Sequence, residues 1–212
     1  MSLRIAIVGS PDIPRVRRLV SGLPASTSLW RADVLHAFVP RADLVMLLVR
    51  GRFLRVRSFA WTPVGGPEPL GGLANHVVRV VLPSQRLARA WRAYLPLGRM
   101  TVVEPGADDD GLLPTHYRAN AEDADDPERI VAAAARGSVI SSPVAHEVLP
   151  PGALVDPSGE TVLPSPDSVA GIALSRLSRG WAHRAHTAAH ERDAMLAVYA
   201  ELASMARRRR VD

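Results

Sequence analysis

The chain has 212 residues, a formal net charge of +5, an apolar fraction of 47% and a charged fraction of 22%, values of globular rather than disordered or collagen-like sequences. No apolar run approaches the roughly 20 residues of a membrane-spanning helix, and Met1 to Gly9 enters an apolar strand without the regions of a secretory signal, which implies a cytoplasmic protein. Cysteine and lysine are absent, and with them go thiol catalysis, disulfides, thiolate metal sites, Schiff-base chemistry and a P-loop.

All 26 basic residues are therefore arginine, whose planar fork suits bidentate contact with phosphate or carboxylate. The basic residues alternate with apolar ones and aromatics make up only 5%, so no stacking platform for nucleic acid is visible. The length accommodates one large domain or two small ones.

In chain order, Leu3 to Val8 is a strand-like run ending at Gly9-Ser10-Pro11. Ile13 to Leu23 then repeats apolar residues at Val16, Leu19, Val20 and Leu23, which completes a β-loop-α start. Ala32 to Phe38 predicts the next strand, and Arg41 to Arg50 a helix with Leu44, Leu47 and Leu48 on one face. A further strand is expected over Arg55 to Thr62, a Gly/Pro-rich loop over 63–72, and a strand over Val77 to Leu82. Ser84 stands where an N-cap belongs, and Leu87, Ala88, Trp91, Tyr94 and Leu95 form an apolar stripe up to Gly98. Met100 to Val103 is a short β-branched run that breaks at Pro105-Gly106. Strands separated by helices imply a parallel sheet with right-handed crossovers.

From Ala107 to Asp126 the chain turns acidic and loop-like, which predicts an N-terminal domain over 1–106, a linker over 107–126 and a second domain over 127–212. In the second domain Pro127 to Arg136 reads as an alanine-rich helix closed by Gly137, followed by a strand over Ser138 to Ser142 and another over Ala153 to Pro157. Ser165-Pro166 marks a helix start, with Val169, Ile172, Ala173 and Leu177 as its buried stripe before Gly180. The last helix is expected from about Ala182 to Arg208, with Met195, Val198, Tyr199, Leu202 and Met205 on one face.

Few constellations carry chemistry. His183, His186 and His190 would share a face of one straight helix, where three nitrogens converge poorly on a tetrahedral ion, so no metal is expected. Asp108-Asp109-Asp110 reads as a solvated acidic loop, Gly9-Ser10-Pro11 does not complete a dinucleotide fingerprint, and Ser141 and Ser142 lack a nucleophile elbow. The amides of the Gly9-Ser10 loop, next to a helix start, can hold a phosphate without lysine. Arg136 is an arginine that a cleft could recruit. Trp61, Gly65 and Gly66 follow a strand, where binding residues gather in α/β folds.

The order of these segments resembles GT-B glycosyltransferases of the retaining family 4. The likeness rests on Val80-Val81-Leu82-Pro83-Ser84 and Met100 through Asp108 as the hinge region, and on Ala32 to Phe38 as the acceptor-side strand with its histidine. It continues through Arg129 to Val144, His146-Glu147-Val148, Gly152 to Pro157, Pro166 to Ala170 and the helix beginning His190-Glu191. The resemblance implies an α/β fold of two Rossmann-like lobes with parallel sheets, the C-terminal lobe reduced and its last helix crossing back. It further implies a nucleotide-sugar donor as substrate, held in a cleft between the lobes with no separate cofactor or metal, and a small-molecule acceptor.

On this reading Gly9, Ser10, Arg136, His146 and Glu147 are donor-side residues. His36, Trp61, Gly65 and Gly66 are acceptor-side, and His36 and Glu147 are the catalytic candidates. The family's paired glutamates fall on Ala124 and Ala132, and the basic pair that neutralises the departing diphosphate is missing, so turnover is expected to be slow. The alternative is a non-catalytic binding or scaffold protein of the same fold, and exposed apolar surface left by the lost portion could drive homodimerisation.

Overall fold

The structure, a computed structural model, describes residues 3–23, 31–53, 58–64, 67–70, 77, 79–107, 115–141, 149, 154–155 and 164–208. It divides into two compact units, one of residues 1–103 with 192–212 and one of residues 104–191.

Five short β runs of the first unit form one parallel sheet. They are β1 (Ile5–Gly9), β2 (Val34–Val39), β3 (Ser58–Pro63), β4 (Arg79–Leu82) and β5 (Met100–Val102), and they lie side by side in sequence order. All four pairings are parallel. The burial of β2 on every residue is what a central strand covered on both faces requires. Sequential order differs from the doubly wound arrangement, in which the first strand is central and the order reverses.

Side chains alternate between two cores. Leu44 and Leu48 of α2 (Arg41–Phe53) and Leu87, Ala88 and Trp91 of α3 (Gln85–Trp91) pack on Ala6, Leu35, Ala37, Phe59, Trp61, Val80 and Leu82. The residues between them in the strands, Ile5, Val34, Phe38, Ala60 and Val81, pack instead with Val16 and Leu19 of α1 (Pro14–Gly22) and with Met195, Val198, Tyr199 and Leu202 of α7 (Ala188–Arg208). Thus α1 and α7 share one face of the sheet while α2 and α3 cover the other, as the period-2 pleat requires.

Polar contacts fix α7 on that face. The Tyr199 hydroxyl meets His36 Nδ1 at 2.7 Å, Ser58 Oγ donates to the Leu202 carbonyl at 3.1 Å, and Arg79 pairs with Glu201. Ser84 caps α3 by accepting the Leu87 amide. The predicted α3 stripe is shortened: α3 ends at Trp91, and Tyr94 is exposed in the turn beyond it.

In the second unit β6 (His116–Arg118), β7 (Val139–Ser141) and β8 (Leu154–Val155) form a three-stranded parallel sheet in that order. Much of the segment expected as an acidic linker is ordered. It contains β6 and the short helix α4 (Ala121–Asp125), which a reciprocal capping box between Asn120 and Asp123 starts. Helix α5 (Glu128–Arg136) buries Ile130, Val131, Ala133, Ala134 and Ala135 and stops at Gly137, whose φ of 78° lies in the left-handed region that glycine tolerates.

Helix α6 (Val169–Ala185) departs from its predicted face. Its buried positions are Gly171, Ser178 and Ala182, while Val169 is 88% exposed and Ile172 and Leu177 are exposed as well. Gly171 admits the Ser165-Pro166 backbone, where a Cβ would stand 2.0 Å from the Ser165 carbonyl oxygen, while Ala182 packs with Ile130 and Ala134 of α5 and Ser178 bonds the Ser138 carbonyl, and these close approaches decide the face over the larger apolar side chains. The chain then breaks at His186-Thr187, so His183, His186 and His190 do not share one helix. Among the described residues no group of histidine, aspartate and glutamate could hold a metal ion, and no helix is long and apolar enough to cross a membrane.

Candidate functional site

In parallel α/β sheets, ligands gather at the carboxyl ends of the strands, where neighbouring chain exits turn to opposite faces and leave a crevice. Strands β1 and β2 meet that condition, because the chain leaves β1 for α1 on one face and β2 for α2 on the other. Because β1, β2 and β3 lie in sequence order, helices on opposite faces make these two crossovers of opposite hand, so the expectation of right-handed crossovers throughout does not hold.

Gly9 ends β1 at this edge. A Cβ there would lie 2.9 Å from the Phe38 Cβ and 3.1 Å from the Phe38 carbonyl oxygen, so only glycine lets the chain pass the end of β2 at this distance. The exposed turn that follows is held by Ser10, whose Oγ bonds the Asp12 carboxylate at 3.1 Å and accepts the Asp12 amide at 3.2 Å, and whose carbonyl accepts the Ile13 amide. Helix α1 then starts with Pro14 in its first turn and no side chain capping its N-terminus. Its amide ends and dipole present partial positive charge at the strand edge.

Arg15, in the first turn of α1, brings a full charge into the core. It is buried, with Nη2 donating to the carbonyl of Val103 beyond the end of β5. A cation in the first turn opposes the helix dipole, which favours anions there. That local conflict in Pro14-Arg15 was the available sequence signal for a residue the motif reading missed.

Beneath the edge, His36 is wholly buried. Nδ1 meets Tyr199 Oη, Nε2 meets Thr62 Oγ1 at 2.8 Å, and the ring packs 4.2 Å from Phe38. Burial, aided by the nearby Arg15 charge, holds its pKa well below the ordinary histidine value. A neutral imidazole with both nitrogens engaged and no solvent access joins sheet to helix; it does not exchange protons with a substrate. His36 as a catalytic or acceptor-side residue is thus corrected. Trp61 is corrected likewise: it lies within β3, fully buried, with Nε1 donating to the Val39 carbonyl at 2.8 Å.

The depressed His36 pKa sets a pH dependence. Below about pH 6.5 the unfolded chain takes up a proton at this position that the folded chain refuses, so stability is full above that pH and falls as pH drops through it. His186 in the second unit, also lowered chiefly by burial, contributes with the same sign. Thermal melts between pH 7.5 and 5.0 should therefore fall more steeply for the wild type than for His36→Gln; parallel curves would contradict this assignment.

The remaining sequence candidates lie elsewhere. Gly65, Gly66, His146 and Glu147 fall outside the described residues, as does Asp108-Asp109-Asp110. Arg136 closes α5, with Nε donating to the Ala132 carbonyl, and so sits at the end of β7 where that strand begins rather than at its carboxyl end. In the middle of β6, Tyr117 beside Asp123 has its hydroxyl pKa pushed up to about 12, mainly by burial and then by its bond to that carboxylate. It stays a neutral donor. Ala124 and Ala132 lie on two separate helices, α4 and α5.

The fold and this edge define an α/β protein built on parallel sheets. No protein-family model matches the chain, and no curated protein matches it in sequence.

Proposed function

We propose that the chain is a GT-B-like protein that binds a nucleotide sugar, with the diphosphate against the Gly9-Ser10 turn and the start of α1, and that it has lost most or all transfer chemistry. The observation that carries the reading is the Gly9-Ser10 turn at the ends of β1 and β2, where glycine brings the backbone close and α1 starts without a side-chain cap, with the buried Arg15 in its first turn. Backbone amides, a helix start and an arginine together suit a diphosphate.

The loss of chemistry rests on different residues. Glycosyl transfer needs a group able to move a proton and a cation pair on the leaving diphosphate. His36 is sealed in the core and Ala124 and Ala132 offer no carboxylate. Calorimetric titration of the intact protein with UDP-, GDP- and ADP-sugars should show saturable binding of at least one, with no released nucleotide on overnight incubation. Rapid release or transfer would restore the enzyme reading, and no heat with any donor at millimolar concentration would remove both.

A further inference from the structure

We propose that the second unit carries its own binding site for a phosphate monoester of a small hydroxylated compound, the chemistry of a sugar phosphate. The site is a cleft of about 510 Å³ between the end of α5 and the first half of α6, within the size range of small-molecule pockets. It lies beside Gly137, at the edge where β7 begins, and so differs from the Gly9-Ser10 turn proposed for the nucleotide sugar.

Its donors converge in type. Arg179 is fixed against the end of α5, its Nε donating to the Ala135 carbonyl and Nη2 to the Arg136 carbonyl at 2.7 Å. One turn earlier on α6, Arg176 also lines the cleft and has no ion pair or hydrogen bond among the described residues. On the same lining, Ser175 contributes a hydroxyl shielded from solvent and likewise without a hydrogen-bond partner among the described residues. A helical serine ordinarily bonds back to a carbonyl of the preceding turn, and a buried hydroxyl left without a partner calls for one.

Two guanidinium groups and a hydroxyl match the charge of nearly −2 and the acceptor oxygens of a phosphate monoester. The other lining residues fit the rest of such a molecule. Asp167, exposed just before the Ser168 cap of α6, can accept from hydroxyl groups, and Ile172 with Pro166 supplies an apolar wall. Inorganic phosphate would use only the first half of the site, and an uncharged sugar only the second.

The test is a ¹⁵N–¹H titration of the intact protein with glucose 6-phosphate, run beside inorganic phosphate and glucose. The expected result is saturable movement of the Gly137, Ser175 and Arg176 amides with the ester, weaker binding of phosphate and no response to glucose. Arg176→Gln should weaken the ester about tenfold and Ser175→Ala about threefold, while Asp167→Asn should bring ester and phosphate affinities together. Arg176 is exposed, so its replacement leaves the fold intact and its spectrum readable. The proposal is overturned by an equal response to glucose, by phosphate binding as tightly as the ester, or by Arg176→Gln binding as the wild type does, which would mark an adventitious ion only.

Discussion

Trp61→Ala is expected to lower the unfolding free energy by about 3–5 kcal/mol, the range for deleting a fully buried aromatic side chain. Trp61 is inaccessible to solvent, sits in the centre of β3, and faces the core formed with α2 and α3. Three losses coincide in the variant. The cavity left by the indole cannot close, because its walls are strands and helices already in contact. The edge-to-face pair with Trp91, ring centres 5.6 Å apart, disappears, worth about 0.5–1.5 kcal/mol in comparable pairs. The Val39 carbonyl also loses its donor in a place water does not reach. Against a total stability of about 5–15 kcal/mol for a typical domain, this is a large part. Urea unfolding followed by circular dichroism should show the shift at unchanged slope. Trp61→Phe should lose clearly less, and a change below about 1 kcal/mol in the alanine variant would contradict the packing described here.

Gly106→Ala is expected to damage the second unit by about 3 kcal/mol or more. A Cβ at Gly106 would stand 2.2 Å from the Thr187 carbonyl oxygen and 2.8 Å from the Ala188 nitrogen, both backbone atoms that have no flexible end to move aside. The close approach is built by hydrogen bonds on either side, from the Gly106 amide to Glu191 Oε2 and from the Ala107 amide to the His186 carbonyl. Parting the segments therefore exposes a buried carboxylate and a carbonyl as well as relieving the clash. Gly98→Ala is the matched control, because a Cβ there meets nothing within 4 Å, and it should stay within about 0.5 kcal/mol of the wild type. Hydrogen exchange read separately over residues 104–191 distinguishes the two; equal protection in both variants would show that the contact at Thr187 carries no weight.

That same contact explains part of what the sequence concealed. Nothing in Ala185-His186-Thr187-Ala188 is a glycine or proline, so apolar spacing ran on as one last helix, yet the chain stops α6 and begins α7 there. The break is satisfied from outside, by the Ala107 amide on the His186 carbonyl, and from within by Thr187 Oγ1 accepting the His190 amide. A threonine cap was visible in the sequence, but its partner across the turn is about 80 residues away.

Local signals were legible where they act locally. Ser84 caps its helix, Gly137 closes α5 in a left-handed turn, and the β1-loop-α1 start reads directly from alternation and spacing. Faces and partners set by tertiary contact were not. The apolar spacing of Val169, Ile172 and Leu177 pointed to the wrong side of α6, because close approach of the Ser165-Pro166 backbone selects Gly171, and packing on α5 and the start of β7 selects Ala182 and Ser178. His36 stood out as a polar residue in an apolar strand, a signal that suits a buried bond more often than catalysis; Thr62 and, 163 positions later, Tyr199 supply that bond. Arg15 was passed over because one arginine among many carries no motif, although its place in a helix first turn broke a local rule.

The claim on which the functional account stands is that the turn after β1 grips a diphosphate. Amide spectra of the intact protein during addition of UDP-glucose, GDP-mannose and ADP-glucose test it most directly. The account predicts that Ser10, Asp12, Arg15 and Val16 move together and saturate with at least one donor. Silence of those four amides with all three donors at about 10 mM, a concentration that would reveal even weak binding, would contradict it.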